Sequence, residues 1–340
     1  MTTMTMAEVG SPAVPPVEPP LATPKRHRKR GRITLWLAVA WLAFITISAV
    51  GANFLPYIKH SCSQYANPKQ CSTAVKGDLL KIEKPPAWAW FSHPEKNIGK
   101  GPERTGWFGT DRNGYDLFSR SMFGARNSLL IGGFSITFGL LFGTVLGMIS
   151  GYYRGWADRI IEVVTNILLA FPALLLAIFI VTFSDKPNST SSASDTRSIG
   201  PIIIALSILA IPPLTRLVRA NTIMYSQREF VMAARSIGAP NRRILVREIL
   251  PNIIPTLLSF ALTGLALLLV AEGALAALGL SVEAPLPTWG RMISSGQERL
   301  RSGIWWPALM PALVMFLTIL CINLLGDILA ERFNTRETIA

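Results

Sequence analysis

Six apolar runs, each long enough to cross a bilayer, constrain this chain more than any other feature. They cover roughly residues 33–55, 127–150, 160–183, 199–217, 253–280 and 305–329. An α-helix rises about 1.5 Å per residue, so roughly 20 residues span about 30 Å of hydrocarbon. Charged residues make up only 16% of the chain, against about a quarter in a soluble domain. They collect between the runs, and the mean hydropathy is +0.38. The expected fold is an all-α integral membrane protein of about six transmembrane helices.

Charge orients these spans. The net charge is +13. No basic module interleaved with aromatics accompanies it, so no nucleic-acid partner is expected. Residues 1–24 are rich in Pro, Ala, Thr and Val without periodicity, and a disordered tail is expected there. Lys25 to Arg32 carries six Lys or Arg directly before the first run. That run is too long for a signal-peptide core and is followed by no small-residue cleavage site. Residues 1–32 are therefore expected to be cytoplasmic, with 33–55 as the first membrane helix. The loop between the fourth and fifth spans holds Arg219, Arg228, Arg235, Arg242, Arg243 and Arg247 against Glu229 and Glu248. In the loop from Ser184 to Ser198, Asp185, Lys186, Asp195 and Arg197 cancel. The positive-inside rule places the first loop inside, the second outside and both termini inside.

Residues 56–126 are expected to form a long extracytoplasmic segment and the entry to the second helix, 127–330 the core, and 331–340 a short cytoplasmic C-terminus. Cys62 and Cys71 lie in the external segment. A pair there can oxidise, so a disulfide and two free thiols both stand as expectations. Gly139, Gly143, Gly147 and Gly151 recur every fourth residue, a flat stripe on which another helix can approach closely. Trp289, Trp305 and Trp306 are expected in the outer interfacial belt. Glu272 lies within the fifth span, where a carboxylate must face the bundle or a wet pathway; structural pairing and a pathway role both remain open. Asp327 is expected near the inner interface. The three histidines, His27, His60 and His93, fall outside the spans, and no metal site is expected.

The loop at 219–250 carries the mechanism. Ser226 and Glu229 read as a capping box that starts a helix. Gly238 ends it in a left-handed cap, and Pro240 discourages continuation. A second short helix is expected from about Asn241 to Leu250, with Pro251 opening the fifth span. A helix–Gly–helix unit of this kind suits docking, with small Ala233 and Ala234 admitting a partner.

This segment resembles the EAA loop of ABC-importer permeases. Ala233, Ala234, Gly238, Leu250 and Pro251 fit the pattern, while Met232 stands at the usual Glu and Glu248 at the usual Ile. Phe108 to Arg120, Gly124 to Leu129, Gly151 to Asp158 and Ala170-Phe171-Pro172 are similar to the dipeptide/oligopeptide permease group, although Asn166 stands where that group often has Asp. Leu278-Gly279-Leu280, Pro287 to Gly290 and Asn323 to Asp327 are similar to its C-type subunit.

The resemblance implies a type I importer permease bundle in a bacterial inner membrane, forming half of a peptide pathway. Glu229, Ala233, Ala234, Arg235, Gly238, Ala239, Leu250 and Pro251 would then make up the ATPase-coupling loop. The implied partners are a second homologous permease, one or two ABC ATPase subunits and an extracytoplasmic solute-binding protein. ATP and magnesium would sit on the ATPases, and this chain would bind no cofactor. It carries no Gly-x-x-x-x-Gly-Lys-Ser/Thr phosphate loop, so it is not expected to be an enzyme itself. Nickel or another small solute is the alternative cargo. A gradient-driven carrier would want more intramembrane ionisable groups than this chain has.

Overall fold

The structure, a computed structural model, describes residues 30–51, 83–86, 107–184, 199–282 and 286–337. The described residues are helical apart from turns and one isolated bridge between Thr110 and Asp116. In chain order the helices are α1 (Arg30–Val50), α2 (Leu117–Tyr153), α3 (Gly155–Ala170), α4 (Ala173–Ser184) and α5 (Ile199–Tyr225). They continue with α6 (Glu229–Ser236), α7 (Asn241–Arg243), α8 (Leu250–Ala277), α9 (Trp289–Leu300) and α10 (Trp306–Glu337). Cys62, Cys71 and most of the expected external segment lie outside the described residues.

Four helical stretches are long and apolar enough to cross a membrane: α2, α5, Asn241–Ala277 and Trp306–Glu331. The bent pair α3–α4 makes a fifth, and the shorter apolar stretch Thr34–Val50 stands where the first span was expected.

The helix boundaries move from the expected ones for local reasons. The entry to the second helix, expected before 127, is the first stretch of α2, which starts at Leu117. The Asp116 side chain caps it by accepting from the Ser119 amide at 3.0 Å, and Arg120 and Arg126 hide this first stretch from a hydropathy reading. The third span is broken rather than continuous. Pro172 has no amide proton, and Phe171 before it is extended at φ −79°, ψ 138°. As a result α3 and α4 meet at 94°.

The glycine stripe of α2 finds its partner in α5. A Cβ on Gly139 would lie 2.6 Å from the Ala210 Cβ, and one on Gly143 2.7 Å from the Leu214 Cβ. One on Gly147 would lie 2.6 Å from the Val218 Cβ, and one on Gly151 2.8 Å from the Thr222 Cβ. The glycines step by four along α2 and their neighbours step by four along α5, so the two backbones pack ridge to ridge.

At the end of the bundle carrying α9, the tryptophans expected in an interfacial belt are buried instead. Trp289 is fully covered, and its indole donates to the Ser121 carbonyl at 2.9 Å. Trp306 is 1% exposed and donates to the Thr110 carbonyl at 3.2 Å. A buried indole N–H needs such an acceptor. Trp305 is half-buried beside it. The start of α10 lies at this same end, and the last turns of α1 pack there, with Ala49 in one cluster with Met122 and Trp289. Both ends of the helical chain therefore point to the opposite end, where α6 lies.

Candidate functional site

At that opposite end, α5 runs on to Tyr225 and the chain turns. The expected capping box does not form. The Ser226 amide still bonds the Thr222 carbonyl, and its hydroxyl turns back to Ile223 O at 2.8 Å. The next helix opens at Glu229 after Arg228, which gives no side-chain cap. The exit of α6 does match the expectation. Gly238 sits at φ +77°, its amide bonds the Arg235 carbonyl at 3.0 Å, and the Ala239 amide bonds the Ala234 carbonyl at 3.1 Å. This is a Schellman cap, in which a residue without a Cβ takes the left-handed position.

The second short helix is not a separate unit. α7 passes into α8 through a wide π turn at Ile244–Ile249, where the Leu250 amide reaches back to the Leu245 carbonyl. The turn keeps Ile244, Leu245 and Ile249 buried. It leads into Pro251, whose ring nitrogen has no proton to place in a normal turn. Pro251 and Asn252 are exposed and Leu250 is half-buried.

These caps fix which side of α6 faces outward. Val231 is fully buried, while Ala234 and Ala239 pack partly against the same core. Ala234 therefore turns inward, and the outward face is built instead from Phe230, Met232, Ala233 and Ile237. Ile237 is 83% exposed and Met232 52% exposed. The sequence reading passed over Phe230, Met232 and Ile237; the apolar residues flanking the alanine pair were the available signal. Glu229 and Arg235 are exposed at the rim, and the Arg235 guanidinium lies over the Tyr152 ring, 5.7 Å from its centroid. The Tyr152 hydroxyl donates to Asn241 Oδ1 at 2.8 Å. The base of the loop is thus clamped to the end of α2.

Beside this loop, α3 and α5 are joined by polar groups that sequence reasoning did not connect. Arg219 donates twice to Asp158, at 2.6 and 2.8 Å, and lies 3.6 Å from Glu162. Ser150 also donates to Asp158. One helical step away, Arg216 donates to Asn166 Oδ1 at 2.6 Å. The spacing Asp158, Glu162, Asn166 puts all three on one face of α3.

Glu272 lies at the far end of the bundle and is 1% exposed. Hydroxyls of Ser128 and Ser281 lie 3.5 and 3.3 Å from it. Ser128 in turn accepts from the Trp289 amide at 3.1 Å. The carboxylate thus sits among hydroxyls that tie Ser281 and Trp289 to α2 and α8. Asp327 is exposed on α10.

The bundle has four helices long and apolar enough to cross a membrane and carries a short capped helix at one end, the makeup of a membrane-embedded protein. Residues 143–336 match the family described as binding-protein-dependent transport system inner membrane component, and the chain belongs to that family. It is 38% identical over 237 residues to a dipeptide transport system permease protein, DppC, of Alkalihalophilus pseudofirmus, covering 70% of this chain and 74% of that one. It is 36% identical to a glutathione transport system permease protein, GsiD, of Pectobacterium atrosepticum, covering 70% and 75%. Among solved structures, an inward-facing MetNI methionine ABC transporter matches with a TM-score of 0.51 at 20% identity. That match covers 64% of this chain and 96% of the other, and it shows the shared type I permease fold.

Proposed function

We propose that this chain is the membrane-spanning permease subunit of an ATP-driven importer of di- and oligopeptides, forming half of the translocation pathway. The observation that carries the reading is α6. It is a short helix held by a Schellman cap, with Val231 turned into the bundle and Met232 and Ile237 turned out. An exposed apolar face on a projecting helix fits a partner's groove. The partner proposed is an ABC ATPase, one or two copies of which bind ATP and magnesium; the chain itself supplies no phosphate loop. Closure of the ATPase changes its contacts with α6 and so biases the bundle, which is the differential interaction that coupling requires.

The peptide cargo rests on the relatives named for dipeptide and glutathione transport. A second permease completes the pathway, and a solute-binding protein delivers cargo from outside. The α6 end is placed in the cytoplasm of a bacterial cell, in accord with its arginines, and both termini lie on that side.

The test is purification of the tagged chain from native membranes in mild detergent, followed by mass spectrometry. Co-purification of a second permease and a phosphate-loop ATPase is expected. A chain that emerges alone, with uptake surviving ATP depletion, contradicts the reading.

A further inference from the structure

Arg216 lies on α5, a helix long and apolar enough to cross a membrane, and its side-chain partner is neutral. Its guanidinium donates to the neutral Asn166 side chain at 2.6 Å, and no ion pair to it is found among the described residues. Its neighbour Arg219 is in the opposite situation, held by Asp158 at 2.6 Å and approached by Glu162 at 3.6 Å. Between α3 and α5 these side chains border a cavity of about 250 Å³ lined by Ser150, Thr165, Asn166, Thr215, Arg216 and Arg219, among others. A cationic side chain in the membrane is costly unless it faces a wet pathway or an anion.

We infer that this cavity is a carboxylate-binding station of the translocation pathway, with Arg216 as the anion ligand and Asn166 as the side chain that orients it. Three observations converge. Arg216 is exposed and lines the cavity, and among the described residues its one side-chain hydrogen bond, to Asn166, uses a single donor. The planar guanidinium presents five donors in a fork that matches a carboxylate. The volume admits a carboxylate with several waters, each water occupying about 30 Å³. Glu162 also lines the cavity, but it approaches Arg219, not Arg216. Its negative charge opposes any anion, so an occupant must be held by the two-point fork of Arg216 and not by net charge. The ligand class is the C-terminal carboxylate of a peptide, an assignment that rests on the peptide-import reading above.

The station also explains what an uncharged residue at 166 does. Asn166 holds the guanidinium by one hydrogen bond without neutralising it. An aspartate there would fill the anion position from within the protein.

The test uses the full chain with its co-purifying subunits in phosphatidylcholine discs. Arginines are modified with phenylglyoxal and the rate at each is read by peptide mass spectrometry. Trialanine is the probe, trialanine amide its control, and exposed Arg301 at the exit of α9 the reference site. Trialanine at ten times its dissociation constant should slow modification of Arg216 about tenfold and leave Arg301 unchanged. The amide should not protect. Protection should vanish in Asn166→Asp and persist in Asn166→Ser, which separates loss of the site from misfolding. Equal protection by the two peptides, or none by either, overturns the inference. So does protection that appears only when the discs contain phosphatidylglycerol, because a headgroup phosphate would then be the occupant. Absence of a co-purifying ATPase would contradict the importer reading instead, a result read separately from the labelling.

Discussion

Asp158 on α3 and Arg219 on α5 meet in a two-point ion pair at 2.6 and 2.8 Å, pinning the first helix of the bent α3–α4 pair to its neighbour α5. Few other contacts hold α3, on which only Thr165 is buried. Asp158→Asn keeps the shape and removes the charge. We expect it to lower the thermal midpoint of the purified protein, with a loss of about 2 kcal/mol for a charge-assisted bond in a partly covered setting. Arg219→Gln should add little on top of Asp158→Asn, because both changes break one interaction. Additive losses would show that the pair does not act as a unit.

The α2–α5 seam makes a compensation experiment available. Gly139→Ala would drive its new methyl to 2.6 Å from the Ala210 Cβ and to 3.2 Å from the end of the flexible Leu214 side chain. Overpacking of this kind costs about 1–3 kcal/mol. Ala210→Gly removes the closer obstacle, so the double variant should regain most of the lost melting temperature. A double variant no better than Gly139→Ala would mean that the seam is looser than described.

Gly238 stands at φ +77° with open space where a Cβ would go. Substitution there is therefore a test of backbone strain and not of packing. A non-glycine residue in this conformation costs about 1–2 kcal/mol. Gly238→Asn and Gly238→Asp should keep more uptake than Gly238→Val, because Asn and Asp tolerate the left-handed region and Val does not. Radiolabelled dipeptide uptake at matched membrane levels is the measurement. Normal uptake by Gly238→Val would separate the cap from coupling.

Glu272 accepts from Ser128 and Ser281 in a site closed to solvent. Glu272→Gln retains one acceptor oxygen and should be expressed and folded. Glu272→Leu strands those donors at about 1–3 kcal/mol apiece and should free the segment from Ser281 to Gly290. Limited proteolysis of membranes would show this as new cleavage there in the leucine variant alone. A leucine variant as resistant as the native chain would assign the carboxylate a role other than holding that segment.

Hydropathy alone made the helical class and the approximate spans legible, because lipid imposes length and apolarity together. The stripe of Gly139 to Gly151 announced a close helix neighbour, but nothing in its spacing named α5. Gly238 was legible as a cap because a left-handed exit needs a residue without a Cβ. Three features escaped for physical reasons. The elbow at Phe171-Pro172 sits in an unbroken apolar run, so hydropathy cannot see it. Trp289 and Trp306 were placed at an interface by residue type, but their indoles found buried carbonyls through contacts made far along the chain. The pairing of Asp158 with Arg219 joins residues 61 positions apart, and only the packing of α3 on α5 brings them together.

The most direct test of the central claim is photo-crosslinking from α6 in intact cells, with a benzophenone amino acid placed in turn at Met232, Ile237 and Ala234. Met232 and Ile237 lie on the outward face, and Ala234 is partly packed inward. Adducts of the first two positions with a phosphate-loop ATPase subunit, and little or none from Ala234, are the expected result. Adducts with an extracytoplasmic protein, or none from Met232 and Ile237 in a fully expressed chain, would contradict the assignment of α6 as the ATPase dock.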